Sequence, residues 1–406
     1  MTESVKVVII GGGPAGLGAA LALTEAGVGP ICVLERETET GGASRHCGHP
    51  SFGLLPFKRI MTGPGFANVL RNKTEGIDIR TNWTVTELQP GGVLQVATPE
   101  GFKTITAERV ILATGARETP RSMRLTSGMR PIGICNTGAL QQFVYLQKLK
   151  PFKRPVIVGS EVVSFSALWT LMNGKMRAVA MLEQEKKCQA YWPSGILPLL
   201  FGAQFHTNTK IKSINGIDRV ESVTIQKSNQ EERTISCDGV VFSGQFVSEN
   251  FLVRNSCLAR ADGIGGPRTD QYFQCSDSAY FAAGNMLHPV ELGDRCYLEG
   301  RSVAQQVITS LQKKHQSTKS RVDLILKEPL TVISPASLSL DRFLEPVTFL
   351  IKTRTSVTGC LVFRQNGKEL LRQSINGHPD RFVKINGFEL NKVETGPPIE
   401  VILEII

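Results

Sequence analysis

The stretch Val5–Gly16, VKVVIIGGGPAG, decides the fold of this chain. Its β-branched beginning, up to Ile10, is typical of a buried parallel strand that stops at a glycine. An Ala- and Leu-rich run over about Leu17–Glu25 then predicts a helix, and a second apolar run, Ile31–Leu34, predicts the next strand. That strand is followed at once by the acid Glu35. The order strand, glycine-rich turn, helix, strand and acid is that of a dinucleotide-binding βαβ unit.

Each residue type in this unit has a mechanical reason. Gly11 forms the tight turn, Gly13 lets a pyrophosphate approach the backbone, and Gly16 lets the helix pack closely on the strand. The helix N-terminus offers N–H groups and a positive dipole end to the phosphates. Glu35 can accept hydrogen bonds from both ribose hydroxyls. The sequence therefore predicts a dinucleotide site near the start of the chain.

Two later segments indicate that this dinucleotide is FAD. The strand Glu108–Leu112 ends in Ala113-Thr114-Gly115, and the strand Ser278–Ala283 ends in Gly284-Asn285. Together with the first motif they resemble the signatures of the glutathione and thioredoxin reductase-like flavoproteins, which have two dinucleotide-binding domains. The last motif normally ends in Gly-Asp there, whereas Asn285 provides hydrogen bonds without a charge. The predicted FAD-binding residues are Gly11, Gly13, Pro14, Ala15, Gly16, Glu35, Arg36, Gly42, Arg45, His46, Val85, Ala113, Thr114, Gly115, Gly284 and Asn285.

The loop Gly41–Gly53, GGASRHCGHPSFG, follows the ribose-binding acid, where this superfamily lays a loop along the flavin. His46 and Cys47 leave four alternatives open: a metal site, covalent flavin attachment, an acid–base or thiolate role at the flavin, and ordinary packing on FAD. A metal site would lack a fourth ligand at a recognisable spacing, so we predict none. Arg45 suits the charge of the pyrophosphate. We take His46 and Cys47 as catalytic candidates.

This loop carries the closest family resemblance. Residues 45–53, 62–67, 114–121, 158–167 and 284–291 resemble the alpha-type subunits of opine oxidases, hydrogen cyanide synthase and dye-linked L-proline or hydroxyproline dehydrogenases. The resemblance extends over about residues 5–310. It implies a second, amine- or amino-acid-oxidase-like flavoprotein subunit as partner, a small-molecule substrate and FMN at a subunit interface. Some members of that family hold an adenine nucleotide such as ATP in the second domain.

The second nucleotide-binding motif is damaged. Pro155–Gly159 predicts a buried strand and turn, but the next two glycine positions of the pattern hold Glu161 and Ser164. A carboxylate at the second position leaves no room for a pyrophosphate and repels its charge. The following strand still ends in an acid, Glu183. The sequence therefore predicts a second βαβ unit in which NADH or NADPH binding is disfavoured.

The segment after Asn285 supplies further candidates. Gly293 and Asp294 predict the start of a helix that, in the superfamily, points its N-terminus at the flavin. The dipole of such a helix stabilises negative charge on a reduced ring. Glu291 and Arg295 are therefore candidates for catalysis, with salt bridging and capping as the alternative.

Composition narrows the function classes. The chain has 406 residues and a formal net charge of +10, but its basic residues form no long run or aromatic-interleaved stripe, so we predict no nucleic-acid binding. Nine dispersed cysteines without a Cys-x-x-Cys pair exclude a dithiol redox centre and indicate a cytoplasmic protein with reduced thiols. The N-terminal sequence predicts neither a signal peptide nor a membrane span. Peripheral attachment to the inner face of the membrane through partners stays open.

The predicted fold is α/β: a Rossmann-like FAD domain with an inserted second βαβ domain, plus a small β-rich C-terminal domain. The predicted boundaries are 1–120 and 248–315 for the two parts of the FAD domain, 121–247 for the degenerate NAD(P)-binding-like domain, and 321–406 for the β-rich domain. Three functions follow from these features. The first is the FAD-containing subunit of a heteromeric amine or amino-acid dehydrogenase or oxidase. The alternatives are a free-standing NADH-dependent FAD reductase and a non-catalytic scaffold or nucleotide-sensing subunit with structural FAD.

Overall fold

The computed structural model describes residues 2–190, 194–228, 230–263, 265–312, 321–340, 346–379 and 381–405. It confirms the α/β fold with a β-rich C-terminal region. The chain divides into two compact units. The first unit comprises Met1–Gly42, Val69–Ala116 and Val247–Ile406, and the second comprises Ala43–Asn68 and Arg117–Phe246.

The first unit is built on a parallel sheet with the strand order β3-β2-β1-β6-β18. Its strands are β1 (Thr2–Ile10), β2 (Ile31–Glu35), β3 (Ile79–Thr81), β6 (Gly101–Leu112) and β18 (Tyr280–Ala282). The apolar run of β1 is buried because parallel strands have helices or loops on both faces. Antiparallel strands β4 (Thr84–Gln89) and β5 (Val93–Thr98) continue the sheet from the first half of β6.

Two helices of the first unit, α1 (Pro14–Glu25) and α8 (Gly293–Gln312), cross at backbone distance. A Cβ atom added to Gly300 would lie 1.9 Å from the carbonyl oxygen of Ala15, and one added to Gly18 would lie 2.4 Å from that of Tyr297. Only glycine permits so close an approach. The N-terminal turns of both helices are therefore fixed relative to each other.

The C-terminal β-rich region consists of two sheets with the orders β21-β19-β26-β23-β24 and β20-β22-β25. Phe349, Phe363 and Phe388 meet in one buried core, with ring centroids 5.0 to 5.3 Å apart. The predicted hairpin turn is present at Asn366-Gly367, where both residues have positive φ. The strands are β19 (Arg321–Leu326), β20 (Leu330–Ser334), β21 (Ser337–Ser339), β22 (Val347–Thr353), β23 (Val357–Gln365), β24 (Lys368–Gly377), β25 (Val383–Phe388) and β26 (Ile399–Ile405), with a 3-10 turn at Leu390–Lys392.

This region clusters with the FAD-binding part instead of forming a unit of its own. A buried ion pair joins Arg321 to Asp270 at 2.9 Å, and a second pair joins Arg268 to Asp323 at 2.6 Å. The linker predicted between Gln312 and Arg321 lies outside the described residues, apart from its two ends.

The second unit contains a parallel sheet with the order β12-β11-β10-β16-β9 and a smaller sheet with the order β15-β14-β13-β8. The strands are β8 (Ser127–Gly128), β9 (Ile134–Asn136), β10 (Pro155–Val158), β11 (Ala180–Leu182), β12 (Gln204–His206), β13 (Thr209–Asn215), β14 (Ser222–Lys227), β15 (Glu232–Ser236) and β16 (Gly239–Phe242). The helical segments are α2 (Leu54–Phe57), α4 (Thr137–Gln141), a π-helical turn (Gln142–Leu146), α5 (Val162–Asn173), α6 (Leu197–Leu200) and 3-10 turns at Arg121–Arg124 and Ser194–Ile196.

Other segments lie where the chain passes between units. They are α3 (Gly63–Lys73), β7 (Ala116–Glu118), β17 (Phe246–Ser248) and the 3-10 turn Gly42–His46, while α7 (Phe251–Arg254) and the 3-10 turn Gly284–Met286 belong to the first unit. Residues 43–68, which the sequence boundaries put in the first domain, cluster with the second unit. Cys47 donates to Gln141 there, and Gly48 lies against the Tyr145 ring. No helix among the described residues is long and apolar enough to cross a membrane.

Candidate cofactor-binding site

The glycine-rich turn after β1 forms an open cradle, which we call the first cradle (residues 11–16). A side chain at Gly11 or Gly16 would overlap backbone, because added Cβ atoms would lie 2.5 Å from Ala113 O and 1.9 Å from Gly11 O. At Gly13 the space is free: an added Cβ would meet only Gly42 Cα, at 3.9 Å. Two glycines are thus required by packing, and the third keeps a space open for a ligand.

Glu35 lies beside this cradle as the sequence predicts. Its Oε2 accepts the N–H of Gly12 at 2.7 Å, and its Oε1 accepts the N–H of Glu37 at 2.9 Å. The side chain is buried. These two bonds fix the carboxylate, whose remaining lone pairs can accept from a ribose diol.

The other two predicted FAD segments come to the same edge of the sheet. Ala113 donates to Ile10 O and Ala283 donates to Leu112 O, so the chain leaves β1, β6 and β18 side by side. Gly115 and Gly284 both have positive φ, at 79° and 75°. Parallel α/β sheets bind their ligands at the carboxyl ends of strands, and these turns lie at that end.

These residues fit FAD. The first turn of α1 has no side-chain cap on its N-terminus, so its N–H groups can meet a pyrophosphate at the positive end of the dipole. An added Cβ at Gly115 would meet nothing within 4 Å, which leaves room beside the turn. FAD, when bound, supplies a two-electron acceptor. The residues named here would hold its adenosine and pyrophosphate parts.

The candidates after β18 form one hydrogen-bonded group. Asn285 Oδ1 accepts the N–H of Glu291 at 2.7 Å, and Glu291 pairs with Arg295 at 3.4 Å. Glu299 joins the loop to α8: it accepts from Gly284 N–H at 2.6 Å and contacts buried His288 at 3.0 Å. The alternative of capping and salt bridging therefore has direct contacts in its favour, and Arg295 is largely exposed.

Three other predicted residues have distinct surroundings. Arg36 is exposed and reaches only Glu37, at 3.8 Å. Gly42 lies beside the first cradle with positive φ, and its added Cβ would be 3.0 Å from Gly13 Cα. Val85 packs in the hydrophobic core with β1 and β6, so that its backbone is the part left for a cofactor.

Arg45, His46 and Cys47 belong to the second unit, whereas most predicted FAD residues belong to the first. Burial lowers the pKa of His46 to about 4, with help from Arg45, so this imidazole is neutral at pH 7. Burial raises the pKa of Cys47 to about 12, and nearby Glu118 adds to the effect. A protonated thiol disfavours the thiolate role among the open alternatives.

The second cradle (residues 159–164) has the same turn but different contents. Gly159 has φ 122° and donates to Leu182 O at 2.8 Å. The Glu161 carboxylate lies between two glycine backbones: Cβ atoms added to Gly159 and Gly244 would be 2.7 and 2.6 Å from its oxygens. The space that Gly13 leaves open in the first cradle is therefore bordered by a carboxylate in the second.

Glu183 occupies the position of Glu35 in the second unit. It is buried, accepts the N–H of Glu185 at 2.7 Å and also accepts from the hydroxyl of Ser160. The backbone N–H of Gln189 donates to that hydroxyl at 3.0 Å. The acid predicted for a ribose is thus present and held in place.

Sequence reasoning missed Glu118, which is buried in the second unit. Burial raises its pKa to about 7, and the N–H of Gly138 and the charge of Arg124 only partly offset this. Arg124 donates to the carbonyls of Ser243 and Gly244 at 2.8 and 2.6 Å. The only sequence signal was position: Glu118 directly follows the Ala-Thr-Gly-Ala-Arg motif. Among the described residues, no group of three or more His, Cys, Asp or Glu side chains is arranged to hold a metal.

Comparison with known proteins agrees with this geometry. The chain is 23% identical over 349 residues to a soluble pyridine nucleotide transhydrogenase of Vibrio atlanticus (strain LGP32), covering 76% of this chain and 72% of that protein. It is 22% identical over 349 residues to a mitochondrial dihydrolipoyl dehydrogenase of Caenorhabditis elegans, covering 74% and 66%.

Solved structures share the fold. Thioredoxin reductase of T. acidophilum superposes with a TM-score of 0.65 at 20% identity, covering 77% of this chain and 100% of that one. L-proline dehydrogenase of P. horikoshii superposes with a TM-score of 0.57 at 20% identity, covering 78% of this chain and 58% of that one. The family model of the pyridine nucleotide-disulphide oxidoreductases matches residues 5–313. The chain therefore belongs to the pyridine nucleotide-disulphide oxidoreductase family and is an FAD-dependent oxidoreductase with two dinucleotide-binding-type units.

Proposed function

We propose that this chain is the FAD-carrying subunit of a heteromeric dehydrogenase or oxidase that takes electrons from the C–N bond of a small amine. The substrate class is an amino acid, imino acid or opine. One observation carries the proposal: the first cradle is open at Gly13, while Glu161 borders the equivalent space of the second. Electrons then have no pyridine-nucleotide entry within this chain and must come from an organic substrate or a partner.

Two further observations support the same function. The chain contains no Cys-x-x-Cys, which argues against a dithiol–disulfide reaction. The L-proline dehydrogenase of P. horikoshii is among the structures that share its fold. The likeness to that enzyme is one of fold, so L-proline itself is only one candidate among the C–N substrates.

The proposed partner is a second flavoprotein subunit that resembles an amine or amino-acid oxidase. Because electrons would pass between subunits, FMN at their interface belongs to the proposal. We propose a cytoplasmic complex, with attachment to the inner face of the membrane only through partners.

The test is an anaerobic reduction experiment on the native complex and on the isolated chain. L-Proline, hydroxyproline and an opine are added in turn, and the flavin absorbance near its visible maximum is followed. We expect one of these substrates to bleach the flavin of the complex, while the isolated chain stays oxidised. Full substrate oxidation by the isolated chain would contradict the heteromeric function.

The second candidate is a free-standing NADH-dependent reductase, which the pyridine-nucleotide relatives favour. Stopped-flow mixing with NADH separates the two functions. We expect no bleaching of the wild-type flavin and slow bleaching in Glu161→Gly, because that change restores the missing glycine. Rapid, stoichiometric bleaching of the wild type would establish the reductase instead. A flavin that no donor reduces, in a fully assembled complex, would favour the scaffold function.

A further inference from the structure

The second unit repeats the nucleoside-binding half of the first, contact by contact. Asn82 and Asn208 both have positive φ, at 58° and 54°. Asn82 donates to Glu37 O, as Asn208 does to Glu185 O. The next residues, Trp83 and Thr209, donate to Glu35 O and Glu183 O at 3.0 and 2.8 Å. These contacts set the backbone around the buried acid, so its presentation to a ribose is the same in both units.

The return of the chain over the cradle is also repeated. Gly41 donates to Gly12 O at 2.7 Å in the first unit, and Ala190 donates to Ser160 O at 3.0 Å in the second. Both acids receive one bond from the residue two positions later and one from the middle of the cradle. A cradle that had only a structural purpose would not need this buried, doubly bonded acid.

The half that would meet phosphate differs. Glu161 stands where the first cradle has Gly13, and Glu118 is close enough to Glu161 for the two charges to repel. The nearby Arg124 gives its donors to backbone carbonyls of Thr119, Ser243 and Gly244. A phosphate at this position would face carboxylates, and the guanidinium is already engaged.

Two buried hydroxyls point to a ligand in the same place. Ser164 Oγ and Ser243 Oγ have no hydrogen-bond partner within the described part of the chain, and their residues are 0% and 2% exposed. An added Cβ at Gly159 would be 3.1 Å from Ser164 Oγ, so this hydroxyl faces the cradle. Buried polar groups are rarely left unpaired, and a polar ligand would satisfy them.

We propose that the second cradle binds a nucleoside whose 5′ substituent is cationic or neutral, with Glu183 on the ribose diol and Glu161 facing the 5′ group. It rejects 5′-phosphates, so ATP and NAD(P)H are poor ligands. The inference goes beyond the proposed function and holds whichever electron donor the complex uses.

The test is a ligand series that differs only in 5′ charge. AMP, adenosine and 5′-amino-5′-deoxyadenosine are titrated at pH 7 by calorimetry into the chain with its flavin bound, so that the first cradle is occupied. We expect the amine to bind at least about tenfold more tightly than AMP, with adenosine between them. 2′-Deoxyadenosine should bind more weakly than adenosine, because Glu183 loses one hydroxyl.

Variants assign the effect to the cradle. Glu161→Gln should reduce the amine-to-AMP ratio to below about threefold, and Glu183→Gln should weaken all three ligands. Glu185→Gln, an exposed neighbour, is the matched control and should keep the wild-type order. Equal or tighter binding of AMP by the wild type, or no binding of any of the three at about 1 mM, would overturn the proposal. An unchanged ratio in a folded Glu161→Gln variant, judged by its flavin content and circular dichroism, would overturn it as well. None of these results depends on substrate oxidation, so they leave the proposed function to its own test.

Discussion

The two βαβ units of this chain share a backbone and differ in chemistry. Both have a glycine turn after a buried strand, a buried acid at the end of the next strand and a return of the chain over the turn. The difference is concentrated at the second glycine position, where Gly13 leaves space and Glu161 does not. A dinucleotide fold can therefore be kept while its ligand changes, because the frame is held by main-chain bonds and the selectivity by one side chain.

Copying the second cradle into the first should have the largest effect. Gly13→Glu places a carboxylate in the open space, so we expect a loss of FAD affinity of at least about a thousandfold, or about 4 kcal/mol. The variant should purify without flavin absorbance. Gly13→Ala is the matched control, since its Cβ would meet only Gly42 Cα at 3.9 Å, and it should keep measurable FAD. Full flavin content in Gly13→Glu would break the comparison.

The buried carboxyl of the second unit should make stability depend on pH. The folded pKa of Glu118, about 7, lies above its ordinary value of 4.5, so the folded chain holds the extra proton between these values. Stability should therefore fall as pH rises from about 4.5 to 7, and the full cost above pH 7 is roughly 3 kcal/mol.

Denaturant unfolding of Glu118→Gln at pH 5 and pH 8 checks this effect. We expect the variant to gain stability over the wild type at pH 8 and to lose that advantage at pH 5. Glu231→Gln removes an exposed acid of the same unit and should change neither value. A gain that is equal at both pH values would show that ionisation of Glu118 is not its cause.

Neutralising the two repeated acids should separate the units. Glu35→Gln should weaken FAD about tenfold, or 1.4 kcal/mol, because an amide oxygen accepts more weakly than the carboxylate that also holds Gly12 and Glu37. Glu183→Gln should leave FAD affinity unchanged. Fluorescence titration of the apoprotein with FAD measures both, and an equal loss in the two variants would contradict the assignment.

The smallest effect is expected at Arg36. Its side chain is 61% exposed and its partner Glu37 is 3.8 Å away, so the pair contributes little. Arg36→Ala should change FAD affinity by less than about threefold in the same titration. A larger loss would assign Arg36 a direct contact with the cofactor, as its position after Glu35 predicts.

Local motifs explain why the fold and the first cradle could be predicted. Gly11, Gly16 and Glu35 act on backbone within their own βαβ unit, and the contacts they make are those that the motif requires. The absent glycine at position 161 was equally legible, because it breaks a pattern of fixed spacing. The β-rich tail was readable from alternation and from the Asn366-Gly367 turn.

Features that depend on long-range packing could not be predicted. Cys47 pairs with Gln141, far along the chain, so residues 43–68 cluster with the second unit. Glu118 owes its raised pKa to burial and meets the N–H of Gly138, and neither is written in its neighbours. The attachment of the tail rests on Arg321 and Asp270, two single residues in segments without a motif.

The crossing of α1 and α8 also orders events during synthesis. The first cradle lies near the start of the chain, but α1 gains its partner only when Gly300 has left the ribosome, and β18 reaches β6 shortly before. The second unit, encoded between them, has all its strands by then. The nascent chain therefore completes the degenerate cradle first, and the cofactor-binding one is finished only near the end of translation.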